Sequence, residues 1–219
     1  MTAADLSRSR LYGILDLAYV KPPDVARVAG EMIEGGVELI QLRAKKYPPE
    51  GIARIAAELR SMTQDRGIPL IINDHPEIAR ATKADGIHVG QDDQSITEVR
   101  SVVGPGCVVG KSTHSLDQAI RAFYEGADYI GFGPIFATPT KPDYQPVGLK
   151  QIQKVHEAVR LPVFCIGGIK LDNLPEVLAA GARRVVIVSG LLQAENVVAY
   201  ARTAKGLLNR NSKIENQKS

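Results

Sequence analysis

Two stretches decide the fold: Pro69-Leu70-Ile71-Ile72-Asn73-Asp74 and, one helix-like segment later, Asp85-Gly86-Ile87-His88-Val89-Gly90-Gln91-Asp92-Asp93. Each is an aliphatic run that ends in amides or carboxylates. Runs without polar alternation are strands buried on both faces, as in a parallel sheet. The unit recurs on either side. Gly36-Val37-Glu38-Leu39-Ile40, Gly126-Ala127-Asp128-Tyr129-Ile130 and Gly181-Ala182-Arg183-Arg184-Val185-Val186 each place a Gly helix stop before a new run. Two runs open on Pro69 and Pro162, which suits a strand's first position.

Working outward, eight strands are expected at about 11–16, 37–42, 69–73, 86–89, 107–111, 128–132, 162–166 and 184–188. Between them apolar residues take helical spacing, as in Val25, Val28, Ala29, Met32, Ile33 and in Ile52, Ile55, Ala56, Leu59. Strict strand–helix alternation with no change of composition predicts a single-domain (β/α)8 TIM barrel over residues 11–208. Residues 1–10 read as a flexible leader and 209–219 as a polar, frayed tail. A doubly wound open sheet is disfavoured because no G-x-G-x-x-G follows the first strand.

The chain has 219 residues, 44% hydrophobic but only 5% aromatic and without Trp, so an aliphatic core is expected. A formal charge of +3, with both signs interspersed, excludes a nucleic-acid partner on electrostatic grounds and leaves room for a local anion site. Cys107 and Cys165 lie far apart in apolar runs and read as buried, reduced thiols. No apolar run reaches the roughly 20 residues of a membrane span, and Met1 to Arg10 lacks a signal-peptide core. A soluble cytoplasmic protein without a membrane partner is expected. Homo-oligomerisation is left open.

In such barrels the working rim is the C-terminal end of the strands. Here those ends carry nearly all the unusual polar residues. Gln41, Arg43 and Lys45 alternate along the second strand and so share a face. Arg offers phosphate a fork and Lys a point charge, though a solvated basic strand end would look the same. Asp74 and Asp93 follow neighbouring strands, about 5 Å apart in a sheet, so one magnesium ion can bridge them. As alternatives, Asp74 caps the helix after it and Asp93 closes a turn. Asn73 can donate to a phosphate or heterocycle. Ser112 and His114 end the fifth strand, with His114 more often structural than catalytic in such a place. His88 reads as a satisfied interior residue. The long segment from Gly131 to Asp143, with Thr138, Thr140 and Lys141, has the make-up of a phosphate-binding lid. Gly167-Gly168 and Ser189-Gly190 let backbone N–H groups approach an anion.

Taken together, these motifs resemble the thiamine-phosphate synthase family over roughly Leu11 to Leu208. The resemblance rests on Gln41-x-Arg43-x-Lys45, Asn73-Asp74, the run from Asp85 to Asp93, Gly110-x-Ser112-x-His114, Gly133-Pro134-x-x-x-Thr138-x-Thr140-Lys141 and Ile166-Gly167-Gly168-Ile169. It implies an alkyl transferase that joins a hydroxymethylpyrimidine diphosphate to a thiazole phosphate, carboxylated or not. By matching position, Gln41, Leu42, Arg43, Ala44, Lys45, Asn73, Ser112 and Lys141 would hold the pyrimidine diphosphate. Asp74 and Asp93 would hold Mg2+. Thr138, Pro139, Thr140, Gly168, Val188 and Ser189 would hold the thiazole phosphate, the last three through backbone. Arg43, Lys45, Ser112 and Lys141 would be the catalytic set. The chain departs from the family pattern at Ala44, where an acid is common, and at Leu15, where Thr is expected. A thiazole tautomerase would use His114 but leave Arg43, Lys45, Asp74 and Asp93 without work. A non-catalytic thiazole-phosphate binder is the remaining alternative.

Overall fold

Among the described strand residues, only Arg43 and Ser112 are not buried. The computed structural model describes Leu6 and residues 8–138 and 144–216, with side chains as far as Asn211. The chain alternates β1 (Leu11–Asp16), α1 (Val25–Glu34), β2 (Leu39–Arg43), α2 (Pro49–Asp65), β3 (Leu70–Asn73), α3 (Pro76–Ala81), β4 (Gly86–Val89) and α4 (Ile96–Val103). It continues through β5 (Val108–Thr113), α5 (Leu116–Tyr124), β6 (Tyr129–Phe132), α6 (Ile152–Ala158), β7 (Val163–Cys165), α7 (Leu174–Ala179), β8 (Val185–Ile187), α8 (Ser189–Leu192) and α9 (Val197–Asn216). The eight parallel strands pair in sequence order, and β8 pairs back onto β1, so the barrel is closed. Among the described residues no helix is long and apolar enough to cross a membrane.

Two strands differ from expectation by two residues at an end. β2 begins at Leu39 rather than 37, because Val37 N–H still closes the preceding helix on Met32. β5 runs on to Thr113, because Ser112 and Thr113 pair with Gly131 and Phe132 of β6. Polarity ended the sequence-based strand there, but cross-strand hydrogen bonds do not depend on side-chain polarity. The final helix continues to Asn216, whereas composition ends the ordered chain near residue 208.

The outer core, between barrel and helices, is aliphatic as expected. The barrel interior adds three aromatic rings to its aliphatic side chains. Tyr12, Tyr129 and Phe164 meet edge-on there, with centroids 5.4–6.2 Å apart. Edge-to-face rings are favoured over stacked ones. Gly110 makes the room: a Cβ there would lie 2.1 Å from the Tyr129 ring. Leu6 is fully buried against this layer, so the leader read as flexible contributes a plug to the barrel floor.

Acids at the strand starts latch neighbouring elements. Glu38 accepts from Leu11 N–H (3.1 Å) and pairs with Lys205. Asp85 accepts from Leu70 N–H (2.9 Å) and Arg60 (2.5 Å). Asp128 accepts from Val109 N–H (2.8 Å) and Arg100 (2.6 Å). Each satisfies the exposed N–H at the start of the preceding strand and ties that strand to a helix. The acid that recurs before each run is therefore structural.

Asp85→Ala should cost about 2–3 kcal/mol, because it leaves a largely buried guanidinium and a backbone N–H unmet. A urea midpoint equal to that of the parent would refute this. His156 supplies a pH test. Burial, with help from Arg183 and Arg184, pushes its imidazole down to about 4. Between pH 6.5 and 4 the unfolded chain binds the proton and the folded chain does not. Stability is thus full above 6.5 and falls as the pH drops toward 4, by about 2 kcal/mol at pH 5. His156→Gln should lose correspondingly less between pH 7.5 and 5 in parallel melts. An equal loss in both proteins would remove His156 from the account.

Candidate active site

Alternation along the strands aims one set of side chains inward. At the C-terminal rim that set includes Asp16, Gln41, Arg43, Asn73, His88, Ser112, Ile166 and Val188, and all line one pocket. Lys45, Asp74, Asp93, His114, Thr138, Gly168 and Ser189 reach it from the loops above. Leu42 and Ala44 sit on the opposite face of β2, buried in the outer core, so only their backbone can face a ligand. Pro139, Thr140 and Lys141 lie outside the described residues.

Arg43 is held by a residue that was not singled out in the sequence. Asp16, the last residue of β1, stands opposite Arg43 in the register and forms an ion pair with it. Asp16 is 1% exposed and also accepts from Ala18 N–H at 2.9 Å. A buried carboxylate with both oxygens engaged gives the guanidinium one direction, and that direction lines the pocket. The period-two face of β1 (Tyr12, Ile14, Asp16) carries the signal: an acid where a strand of Leu and Ile predicts none.

Asp74 and Asp93 meet across the β3 and β4 loops. Asp74 has φ +64, unusual for a residue with a Cβ. It does not cap α3, whose N-cap is His75 with no side-chain bond. Its N–H is anchored on His88 C=O (3.0 Å), and Lys45 Nζ lies 3.0 Å from its carboxylate. Asp93 does close a turn, accepting from Gly90 N–H at 2.6 Å, and it also faces Asp74. Burial pushes the Asp74 carboxyl up, the neighbouring Asp93 adds to this, and Lys45 opposes both. Burial acts on Asp93 too, but the Gly90 N–H, the Asp74 carboxyl and the charges of Lys45 and Lys111 outweigh it, and Asp93 is held down. Two adjoining carboxyls at unequal readiness to ionise could hold a cation between them. Among the described residues no cluster of three or more His, Cys, Asp or Glu side chains forms. Two carboxylates are the usual protein share of a magnesium site that takes its other oxygens from water and phosphate.

The opposite wall is made of glycine and helix-start backbone. Gly168 has φ +68, and a Cβ there would lie 2.7 Å from the Phe136 side chain. Only glycine suits that backbone. Its carbonyl is taken by Asn173 Nδ2 (2.9 Å). Across from it α8 starts at Ser189, and a helix's first N–H groups have no intrahelical partner. The β6 loop is pinned beside them by Ile135 N–H to Ile166 C=O (2.8 Å) and Phe136 N–H to Gly167 C=O (3.0 Å). His114 serves this loop as well. Its Nδ1 bonds to Gly133 C=O and its ring stacks on Tyr144 with centroids 4.1 Å apart. It thereby ties the two ends of the segment around residues 139–143.

Comparison with known proteins follows the same lines. Residues 11–191 match the family described as thiamine monophosphate synthase. The thiamine-phosphate synthase of Shouchella clausii (strain KSM-K16) is 44% identical over 191 residues, spanning 87% of this chain and 91% of that protein. That of Pelotomaculum thermopropionicum is 39% identical over 206 residues, 94% of each. Among solved structures, a thiamine phosphate pyrophosphorylase from Pyrococcus furiosus superposes with a TM-score of 0.86 at 32% identity, covering 94% of this chain and 98% of the other.

The Asp16–Arg43 pair yields a test that needs only inorganic pyrophosphate. Asp16→Asn removes the charge that orients Arg43 and should weaken pyrophosphate binding about tenfold in calorimetry. Unchanged affinity would show that Arg43 needs no such support.

Proposed function

The chain belongs to the thiamine-phosphate synthase family, and from that premise we propose how its rim joins a hydroxymethylpyrimidine diphosphate to a thiazole phosphate. The observation that carries the reading is the division of one pocket into two anion sites. Arg43, Lys45, Asp74 and Asp93 gather on one side, and the Gly168 and Ser189 turns on the other. A reaction between two phosphorylated molecules needs both.

On this reading Gln41, Asn73 and Ser112 hold the pyrimidine, with Arg43, Lys45 and Lys141 on its diphosphate. Leu42 and Ala44 contribute backbone only. Asp74 and Asp93 would hold Mg2+, which would supply charge neutralisation to the diphosphate. Thr138, Pro139, Thr140, Gly168, Val188 and Ser189 hold the thiazole phosphate. The methylene C–O bond breaks with its electron pair leaving on pyrophosphate, and the resulting pyrimidine cation accepts the lone pair of the thiazole nitrogen to form the C–N bond. Arg43 and Lys45 stabilise the negative charge as it grows on the leaving group, where fixed cations are most effective. Ile14, Ile166, Val186 and Val188 wall the space between the two sites. An apolar wall offers the cation no competing nucleophile, and no protein nucleophile is required.

The site's partners are small soluble molecules. Both cysteines are free and buried, and burial pushes Cys107 up to about 11 and Cys165 up to about 12. They therefore remain thiols, in keeping with a cytoplasmic enzyme.

Purified protein should release pyrophosphate only with both substrates and magnesium, forming thiamine phosphate in equal amount. A chelator should abolish release. Alanine at Asp74 or at Asp93 should lower kcat by about 100-fold and weaken the dependence on magnesium. Unchanged turnover and metal dependence in the double variant would sink the assignment of the two aspartates.

A further inference from the structure

Beneath the pocket floor, five side chains from five strands form one hydrogen-bonded chain. Gln41 Nε2 donates to Tyr12 Oη at 2.5 Å. Tyr12 Oη lies 3.2 Å from Tyr129 Oη, and Tyr129 Oη lies 3.1 Å from His88 Nδ1. His88 Nε2 lies 2.9 Å from Ser112 Oγ. Gln41 and Ser112 are the two ends, and both line the pocket. Of the three residues between them His88 also lines the pocket, but none has been given a substrate to hold.

Counting protons gives the chain a direction. A phenol has one proton to donate. Tyr12 already receives an amide N–H, so its own proton passes to Tyr129. Tyr129 then donates to His88 Nδ1. A ring nitrogen that accepts carries no proton, so the neutral imidazole bears its proton on Nε2 and donates it to Ser112 Oγ. The serine's hydrogen is left for the pocket. At the other end Gln41 lines the pocket, and with its nitrogen given to Tyr12 its carbonyl oxygen is the acceptor left for a ligand. The floor thus presents an acceptor at Gln41 and a donor at Ser112. Both phenols keep their protons, since burial raises Tyr12 and Tyr129 well above the usual phenol range. Reversal at any one link would require reversal of every other.

We propose that Tyr12, Tyr129 and His88 are positioning residues that select an amino-substituted pyrimidine over its oxo counterpart by setting which atoms Gln41 and Ser112 offer. An exocyclic amine donates and is met by the Gln41 carbonyl. A carbonyl in its place is itself an acceptor and finds another acceptor opposite. Discrimination of this kind is strong because a mismatch leaves buried polar groups unpaired. The proposal rests on the reading that Gln41 and Ser112 hold the pyrimidine.

Two measurements test it. The first uses the substrate-free parent protein labelled with 15N at histidine, with the His88 signals assigned by their loss in His88→Gln. The expected spectrum has a bare Nδ1 and a protonated Nε2. A proton on Nδ1 would overturn the proposal. The second compares kcat/KM for the 4-amino pyrimidine diphosphate with that for the 4-oxo analogue. Tyr129→Phe keeps the ring contacts and cuts the chain in the middle, while Tyr12→Phe cuts it one link earlier. In each, the amino preference should fall about tenfold or more, with KM for the thiazole phosphate unchanged. If both variants keep the parent's preference, or lose both substrates equally, the three residues merely fill the barrel and the proposal fails. If the parent itself makes no thiamine phosphate, the reading of the function fails instead, and the tautomer of His88 still decides the polarity of the chain.

Discussion

Closure of the sheet is the constraint from which the rest follows. Because β8 pairs back onto β1, every second side chain of eight strands points into one narrow interior, and each level of that interior must be filled or used. The lower level is filled by Leu6 and three aromatic rings. The upper level is polar and faces the pocket. Between the two, the phenol and imidazole atoms have an apolar layer below and a ligand site above, so their hydrogen bonds run sideways from strand to strand. The chain from Gln41 to Ser112 lies at the boundary between the part of the barrel that holds itself together and the part that binds.

Charge is divided along the same axis. At the strand starts Glu38, Asp85 and Asp128 each meet a backbone N–H and a Lys or Arg. Those acids are neutralised, and their cations are not available to a ligand. At the strand ends the balance differs. Lys45 is half-exposed and shares Asp74 with the approach of Asp93, so the pairing is open to exchange with an incoming charged group. Arg43 lies between these cases. Its partner Asp16 is buried, and this keeps a partly exposed guanidinium in a fixed direction rather than withdrawing it from the site. Orientation of this sort lowers the entropic cost of binding an anion.

Much of this was legible in the residues. The run from Pro69 to Asp74 and the run from Asp85 to Asp93 imply buried parallel strands, and the count of such apolar runs implies their number. Period two alone puts Gln41 and Arg43 on one face, and closure then puts Asn73 and Ser112 beside them. The departures are physical ones. Ser112 and Thr113 remain in β5 because backbone pairing with β6 continues past the first polar side chain. The aromatic interior was hidden by a low aromatic content, because composition counts rings without saying that three of them converge. Asp16 is visible as an acid in an apolar strand, but its partner is not, and the two phenols look like ordinary members of their runs.

The sequence by itself determined the barrel, its eight strands and the kinds of atoms at its rim, because strand period and helix spacing are local properties of the chain. Only the tertiary structure decided which of those atoms meet. Asp16 reaches Arg43 across a register of paired strands, Asp74 faces Asp93 across two loops, and Gln41 is joined to Ser112 through Tyr12, Tyr129 and His88. Those contacts depend on how far the closed sheet is staggered and on which way each hydrogen bond runs, and neither quantity is carried by any single segment.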